Sequence, residues 1–201
     1  MNSKISKLFA DIDAKKEEIK KEYEKLRKKY DFSVENGRIK FSNKAKEYQK
    51  GFKVPLKDYA VPKSVRHFIS MPFIYGMIIP GFVLDVGLFL YQQTAFRLYK
   101  IPLVKRSDYI VFDRRHLNYL NLIQKVNCLY CSYMNGLFSF AVEVGGRTEK
   151  YWCPIKAAKR KKGGHEWEQH FADYGDPEEF KKNFNSTKEY YKAKNIKKET
   201  V

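Results

Sequence analysis

Six side chains of this sequence have the type and spacing for site chemistry: three cysteines and three histidines. Cys128 and Cys131 form a CxxC in NCLYCSYMNG, and Cys153 follows in EKYWCPIK. Thiolates are soft ligands for zinc or iron, and ligands two or three positions apart let one local turn aim both at one ion. On a helix, positions i and i+3 share a face, so Cys128 and Cys131 can chelate together. Cys153 closes the site if the chain doubles back at Gly145-Gly146. No fourth cysteine exists; His116, His165 and His170 are the alternatives that would make a Cys3His site, and an Asp or Glu ligand also stays open. The spacing does not choose among them, and His116 is carried as the candidate beside Cys128, Cys131 and Cys153. Two other readings stay open. Buried thiols behave as small hydrophobes, and a CxxC can be a dithiol redox pair, although no βαβ pattern surrounds this one.

Other groups carry weaker signals. His165 and His170 stand five apart in HEWEQH, which is not the HExxH of zinc proteases, and ordinary surface or interface histidines are expected there. Glu143 and Glu149 flank the glycine pair, and Asp113 and His116 precede an apolar stretch. No Glu-x-x-His in the apolar region turns these into a bundle-type metal site. The sequence has no phosphate-binding glycine loop and no nucleophile elbow. An enzyme acting on a lipid or membrane-bound substrate would draw on Asp85, Asp113 and His116 near the interface. Whether the chain is an enzyme stays open.

The element that must position these groups is the block Phe68 to Leu90, FISMPFIYGMIIPGFVLDVGLFL, with Asp85 as its single charge. About 20 apolar residues suffice to cross the hydrocarbon core as a helix. The block holds Pro72, Gly76, Pro80, Gly81 and Gly87, and basic residues lie on both flanks: Lys53, Lys57, Lys63 and Arg66 before it, Arg97, Lys100, Lys105 and Arg106 after it. Positive flanks prefer the cytoplasmic side. A helix that enters, bends between Pro72 and Gly81 and returns satisfies both clusters. A single span and a buried soluble hairpin are the alternatives. Asp85 must face protein or water, since a lone carboxylate in lipid is costly.

The remaining chain is polar and basic. Its 201 residues carry 40 Lys and Arg against 23 Asp and Glu, a formal charge of +17, the footprint of a polyanionic partner. The aromatic and basic content permits nucleic-acid binding, but no recognised motif supports it. The apolar block favours anionic membrane lipids as partner. The opening MNSKISKLFADIDAKKEE shows no secretory h-region, and three cysteines cannot pair completely, so a reduced, cytoplasm-facing setting is expected.

Periodicity predicts a basic amphipathic helix over Ser3 to Tyr30, with Leu8, Ile12, Ile19, Tyr23 and Leu26 on one stripe. A hairpin turning at Asn36-Gly37 follows, then a short helix from Asn43 to Lys50. After Pro102, LVKRSDYIVFD reads as a strand or interfacial segment. A long helix is expected from Arg114 or Arg115 to about Val144 with Asp113 as N-cap, and a second, short one around Thr148 to Arg160. One short helix from Pro177 precedes a frayed basic tail. The expected parts are an amphipathic helix with hairpin at 1–50, a membrane-inserted segment at 51–106, a helical cysteine-bearing domain at 107–180, and a tail at 181–201.

Five tracts resemble an uncharacterised family of bacterial proteins: PFIYGMIIPGFVLDVGLFLYQ, IPLVKRSDYIVFDRRHLNYLN, KVNCLYCSYMNGL, RTEKYWCPIKAAKR and FADYGDPEEF. The resemblance covers roughly Phe68 to Phe180. It implies a bacterial origin and membrane association, and no reaction. Similar proteins carry a histidine where this chain has Ala158, so a ligand at that position is excluded here.

The expected fold is mainly α-helical, with one re-entrant or spanning apolar helix and at most a small hairpin. The expected role is a small protein on the cytoplasmic face of the inner membrane, with a cysteine site for zinc or iron, acting in assembly or electron transfer. A non-metal membrane subunit or scaffold of a larger complex is the alternative.

Overall fold

The computed structural model describes residues 3–35, 38–56, 58, 65–159 and 161–199. The expected turn residues Asn36 and Gly37, and Lys57, Pro62, Lys63 and Arg160, lie outside the described residues. The fold is mainly helical with one two-stranded sheet. The chain divides into two compact units. One holds residues 1–61 and 113–126, the other 62–112 and 127–201.

In the first unit, α1 runs Ser3–Tyr30. Lysines and glutamates pair along it at i, i+3, as in Lys15–Glu18 and Lys25–Glu22 at 2.6 Å. Asp31 ends it in the left-handed region (φ 50°), which Asp tolerates better than most residues. Strands β1 (Phe32–Glu35) and β2 (Arg38–Phe41) pair antiparallel, Phe32 opposite Phe41 and Glu35 opposite Arg38. This register leaves two residues for the connection, as an Asn-Gly hairpin requires. Helix α2 (Asn43–Lys50) is capped by Ser42, whose Oγ accepts from Ala45 N at 3.1 Å.

Residues 113–126 complete this unit. Asp113 makes no side-chain cap bond, and only a 3₁₀ turn, Arg114–His116, follows it. The long helix α5 starts later, at Leu122, and ends at Trp152. Its cap is reciprocal: Gln124 N donates to Asn121 Oδ1 and Asn121 N donates to Gln124 Oε1, both at 2.9 Å. Asn121 is buried, and its Nδ2 donates to Val54 O at 3.3 Å.

The second unit begins with α3 (Val65–Gly76) and α4 (Ile78–Tyr91), separated only by Met77. A π-helical segment, Gln92–Phe96, continues them. Together Val65–Phe96 form 32 residues of apolar helix, long and apolar enough to cross a membrane. At 1.5 Å per residue that is about 48 Å. The expected bend and return between Pro72 and Gly81 does not form. Only a turn at Met77 interrupts Val65–Phe96, and Gly81 N donates to Met77 O at 3.1 Å, so the chain goes on in the same helix instead of returning.

The partner of this helix is α5, and the two run parallel. Tyr75 Oη donates to Asn127 Oδ1 at 2.6 Å, Tyr133 Oη to Asp85 Oδ2 at 3.1 Å, and Tyr91 meets Thr148 at 3.1 Å. Partner numbers climb together along both helices, which only a parallel pair allows. The reversal comes after Arg97, in an extended segment running back along α5. Arg147 Nη1 donates to Pro102 O at 2.8 Å near its start, and Tyr109 stacks on Phe140 at 6.0 Å further along. The segment predicted as a strand therefore has no strand partner among the described residues. Side chains satisfy its backbone: Val104 N donates to Gln92 Oε1 at 2.7 Å. The π-helical turn presents Gln92 and Phe96 on the same buried side.

Phe96, Ile101, Val104, Ile110, Leu137, Phe140 and Val144 form the core between the return segment and the helices. Asp85 is paired within this layer. Arg106 Nε donates to Oδ1 at 2.9 Å and Arg106 Nη2 to Oδ2 at 2.6 Å. The expectation that Asp85 faces protein is met by a bidentate guanidinium.

The opposite side of α3–α4 is bare. Phe68, Ile69, Phe73, Ile79, Val83, Val86 and Leu90 are all exposed, and only 6% of the helix's most apolar window is buried. A core helix of a water-soluble protein would be mostly covered.

Beyond α5, Cys153 and Pro154 end the helix, and Ile155 bridges Ala172. Helix α6 (Pro177–Glu199) is longer than expected. Asp176 Oδ1 caps it by accepting from Glu178 N and Glu179 N at 3.0 and 2.9 Å.

Two glycines set the close approaches. A Cβ on Gly136 would meet Tyr109 O at 2.6 Å and Ile110 Cα at 2.8 Å, both backbone atoms. A Cβ on Gly81 would press on Met134 Sδ and Cε, the end of a flexible side chain, and otherwise make only an ordinary 3.7 Å contact with Leu137 Cδ2. Gly136→Ala should therefore destabilise by about 1–3 kcal/mol, as overpacking does. Gly81→Ala should cost less, and Gly87→Ala, with open space, nothing. Chemical denaturation of the three variants in detergent checks this order, and an equal cost for Gly136→Ala and Gly87→Ala would refute it.

Candidate functional site

The cysteines are not brought together. Cys128 and Cys131 sit on one turn of α5, the first half-buried and the second exposed, and all three thiols are free. The chain does not reverse at Gly145-Gly146, because both glycines lie inside α5. Cys153 lies 22 residues beyond Cys131 along this helix, about 33 Å at 1.5 Å per residue. One ion cannot bridge that distance. His116 belongs to the 3₁₀ turn of the first unit, where Arg115 Nε approaches its Nε2 at 3.4 Å. His170 is exposed beside Gln169. Among the described residues, no three His, Cys, Asp or Glu side chains converge as a metal site.

A different set does converge, around the glycine pair. Glu143, Gly146, Arg147 and Lys150 stand at positions i, i+3, i+4 and i+7, which places them on one face of α5. Glu143 Oε1 accepts from Arg147 Nε at 2.7 Å, and its Oε2 accepts from Trp167 Nε1 at 3.1 Å. Lys150 Nζ lies 3.9 Å from the Trp167 ring centroid. Burial, and then the neighbouring Arg147 charge, push the Lys150 ammonium below its ordinary range. A Cβ on Gly146 would sit 2.6 Å from His165 Cγ and 2.9 Å from Trp167 Cδ1. The missing side chain is what lets the 3₁₀ segment Glu166–His170 and His165 lie on the helix.

On the adjoining face, Glu149 Oε2 accepts from His165 Nε2 at 2.6 Å, and Lys161 Nζ stands 3.4 Å from Glu149 Oε1. Burial raises the carboxyl's affinity for protons, but the His165 hydrogen bond and the Lys161 charge together outweigh it. The net effect holds Glu149 below its usual range. His165 is nearly buried, and its Nδ1 has no partner among the described residues. Both carboxylates that flank the glycine pair are thus engaged with cations and ring N–H groups.

These polar groups border a groove of about 610 Å³. Leu84, Leu88 and Tyr91 from α4 and Val144, Gly145 and Thr148 from α5 line its apolar part. Lys161, Gly163, Gly164, His165, Glu149 and Glu168 form its rim. Thr148 Oγ1 donates to Val144 O at 2.8 Å, so Tyr91 Oη donates to Thr148, and no polar proton is left over inside. A Cβ on Gly145 would meet nothing within 4 Å, so Gly145 keeps the groove open. The arrangement suits an elongated apolar group with a charged end. His165, expected as a surface or interface histidine or a fourth metal ligand, packs on the helix as an interface residue, and nothing in the sequence reading singles out Trp167. The spacing of Glu143, Gly146, Arg147 and Lys150 on a continuous helix was the signal for them.

Two substitutions separate the glycines. Gly146→Ala should destabilise by about 1–3 kcal/mol because both rings are pinned by carboxylates. Gly145→Ala should stabilise by up to about 1 kcal/mol, the usual gain in a helix interior. Thermal unfolding in detergent reads both, and the reverse order would refute the packing. Glu149 supplies a pH test. Its folded pKa is depressed, so its stabilisation is present above the unfolded value of about 4.3 and disappears as pH falls through the folded value. Glu149→Gln should be less stable than the parent at pH 7, and the gap should close in acid. A gap that widens in acid would refute the assignment.

No known protein-family model matches this sequence, and no curated protein or solved structure matches it.

Proposed function

We propose that this chain is a monotopic membrane protein of the cytoplasmic face of the inner membrane, serving as a subunit or scaffold of a larger membrane complex. The observation that carries this reading is the pairing of one bare apolar helix with a charged segment at the same level. Asp85 lies near the middle of the Val65–Phe96 helix, and Arg106 binds it from the return segment. Lys105 and Asp108 flank Arg106 with side chains 77% and 61% exposed. A helix standing upright across the bilayer, with its centre at the midplane, would draw these charges into hydrocarbon at a cost of a few kcal/mol each. A helix lying along the interface keeps them in water and buries Ile79, Val83, Val86 and Leu90 in one leaflet.

Two further features agree with an anionic membrane surface. The net charge is +17, and basic residues such as Arg66 and Arg97 flank the apolar block Phe68 to Leu90. On α1, Ile12, Ile19 and Leu26 stay exposed among lysines, as an interfacial helix requires.

Membrane fractions test the placement. The intact chain should resist high salt and be released only by detergent, because apolar contact is not screened by ions. Deleting Phe68 to Leu90 should move it to the soluble fraction. Replacing Arg66 and Arg97 with Ala should only weaken attachment. Reporter tags at both ends should show the cytoplasmic side. Release by salt, or tags on opposite sides, would overturn the monotopic placement.

A further inference from the structure

We propose that the groove between α4 and α5 binds one membrane aminophospholipid, with an acyl chain against Leu84, Leu88 and Val144 and the phosphoethanolamine head at the Lys161–Glu168 rim. The proposal rests on the membrane placement above and names the ligand that the placement brings within reach.

Three features of the groove carry it. Its wall is apolar and continues onto the exposed α4 side chains Val83 and Leu90, so a lipid chain can enter sideways from the leaflet. Gly145 leaves space where any other residue would place a side chain. The rim is of mixed charge. Lys161 touches Glu149 only at 3.4 Å, and exposed Lys162 adds a second ammonium one residue on. Glu168 is half-buried, and among the described residues its carboxylate has no ion-pair partner. That carboxylate folds against Gly164, whose Cβ would sit 2.7 Å from Oε2.

A half-buried carboxylate without a cation selects for a ligand that brings one. Lysines beside it select for phosphate. A headgroup with phosphate and a primary ammonium a few bonds apart satisfies both. A purely anionic head satisfies the lysines and is repelled by Glu168 and Glu149. Glu149 already shares its charge with His165, which leaves Glu168 as the discriminating group.

The test uses the full chain purified in detergent, with bound lipid counted by native mass spectrometry after adding phosphatidylethanolamine or phosphatidylglycerol. One phosphatidylethanolamine per chain is expected, in preference to phosphatidylglycerol. Glu168→Gln should erase a preference of roughly fivefold or more, the upper end of what a solvent-facing ion pair supports. Gly145→Phe fills the groove and should lower lipid occupancy by about tenfold or more. Circular dichroism of that variant checks folding, and Glu168→Gln, a change of equal size in the 3₁₀ segment Glu166–His170, keeps the test decisive should Gly145→Phe misfold. Equal binding of the two lipids, or unchanged occupancy in Gly145→Phe, would overturn the groove assignment. A chain that stays in membranes but carries no lipid at this ratio sinks the groove and spares the placement. A chain that washes off membranes yet binds one phosphatidylethanolamine sinks the placement and spares the groove.

Discussion

The Asp85–Arg106 pair decides the arrangement of the second unit. A carboxylate near the middle of a long apolar helix must find a cation or lose its charge, and here the cation comes from 21 residues further along the chain. Arg106 can reach it only if the chain leaves the helix at Arg97 and runs back beside it. That return brings Ile101, Val104 and Ile110 against Leu137, Phe140 and Val144, so one polar contact and the apolar core require the same path. Tyr133 Oη closes the carboxylate at 3.1 Å and ties α5 to the pair. Arg106 remains 47% exposed while Asp85 is 13% exposed, so the guanidinium spans from the covered helix face to solvent. A pair of this kind specifies geometry more than it adds stability, because desolvation offsets much of the attraction.

The same logic of local need explains the glycines. Gly136 lets the backbone of Tyr109 and Ile110 cross α5, and Gly146 lets His165 and Trp167 lie on it. Both sit inside one helix and cost it propensity, roughly 1 kcal/mol each relative to alanine. The cost is offset by contacts that a Cβ would prevent. Gly145, one residue before Gly146, meets nothing, and its open position faces the groove. A glycine pair can therefore be two opposite devices, one for contact and one for space.

Local signals were legible in the sequence, and long-range ones were not. The Ser3–Tyr30 helix, the hairpin register and the α2 helix follow from periodicity and turn chemistry that act within a few residues. The apolar block was legible by its composition, and the need of Asp85 for a protein partner followed from electrostatics alone. Its partner was not legible, since Arg106 looked like one more basic flank. The start of α5 was misplaced because Asp113 resembles a cap, whereas the reciprocal Asn121–Gln124 pair holds the true one. The glycine pair suggested a reversal because helix propensity disfavours it. Tertiary contact at Gly146 overrides that propensity, and with the reversal gone the three cysteines lose the geometry of a common site.

Amphipathicity in the second unit belongs to the assembly and not to either segment. Helix α3–α4 has no polar face of its own: Arg66, His67 and Ser70 stand near its start, and beyond them Asp85 is its one charge. The return segment is charged but has no regular structure in which to sort its charges. Joined by Arg106, they become one layer with Ile79, Val83, Val86 and Leu90 outward and Lys105, Arg106 and Asp108 on the paired flank. Without the ion pair the helix would be apolar on every side, the condition that favours a full span or aggregation. With it, one flank is committed to water, and the bare flank has only a leaflet or an apolar partner surface left to cover it. In the proposed membrane placement, lying along the interface would satisfy both flanks at once.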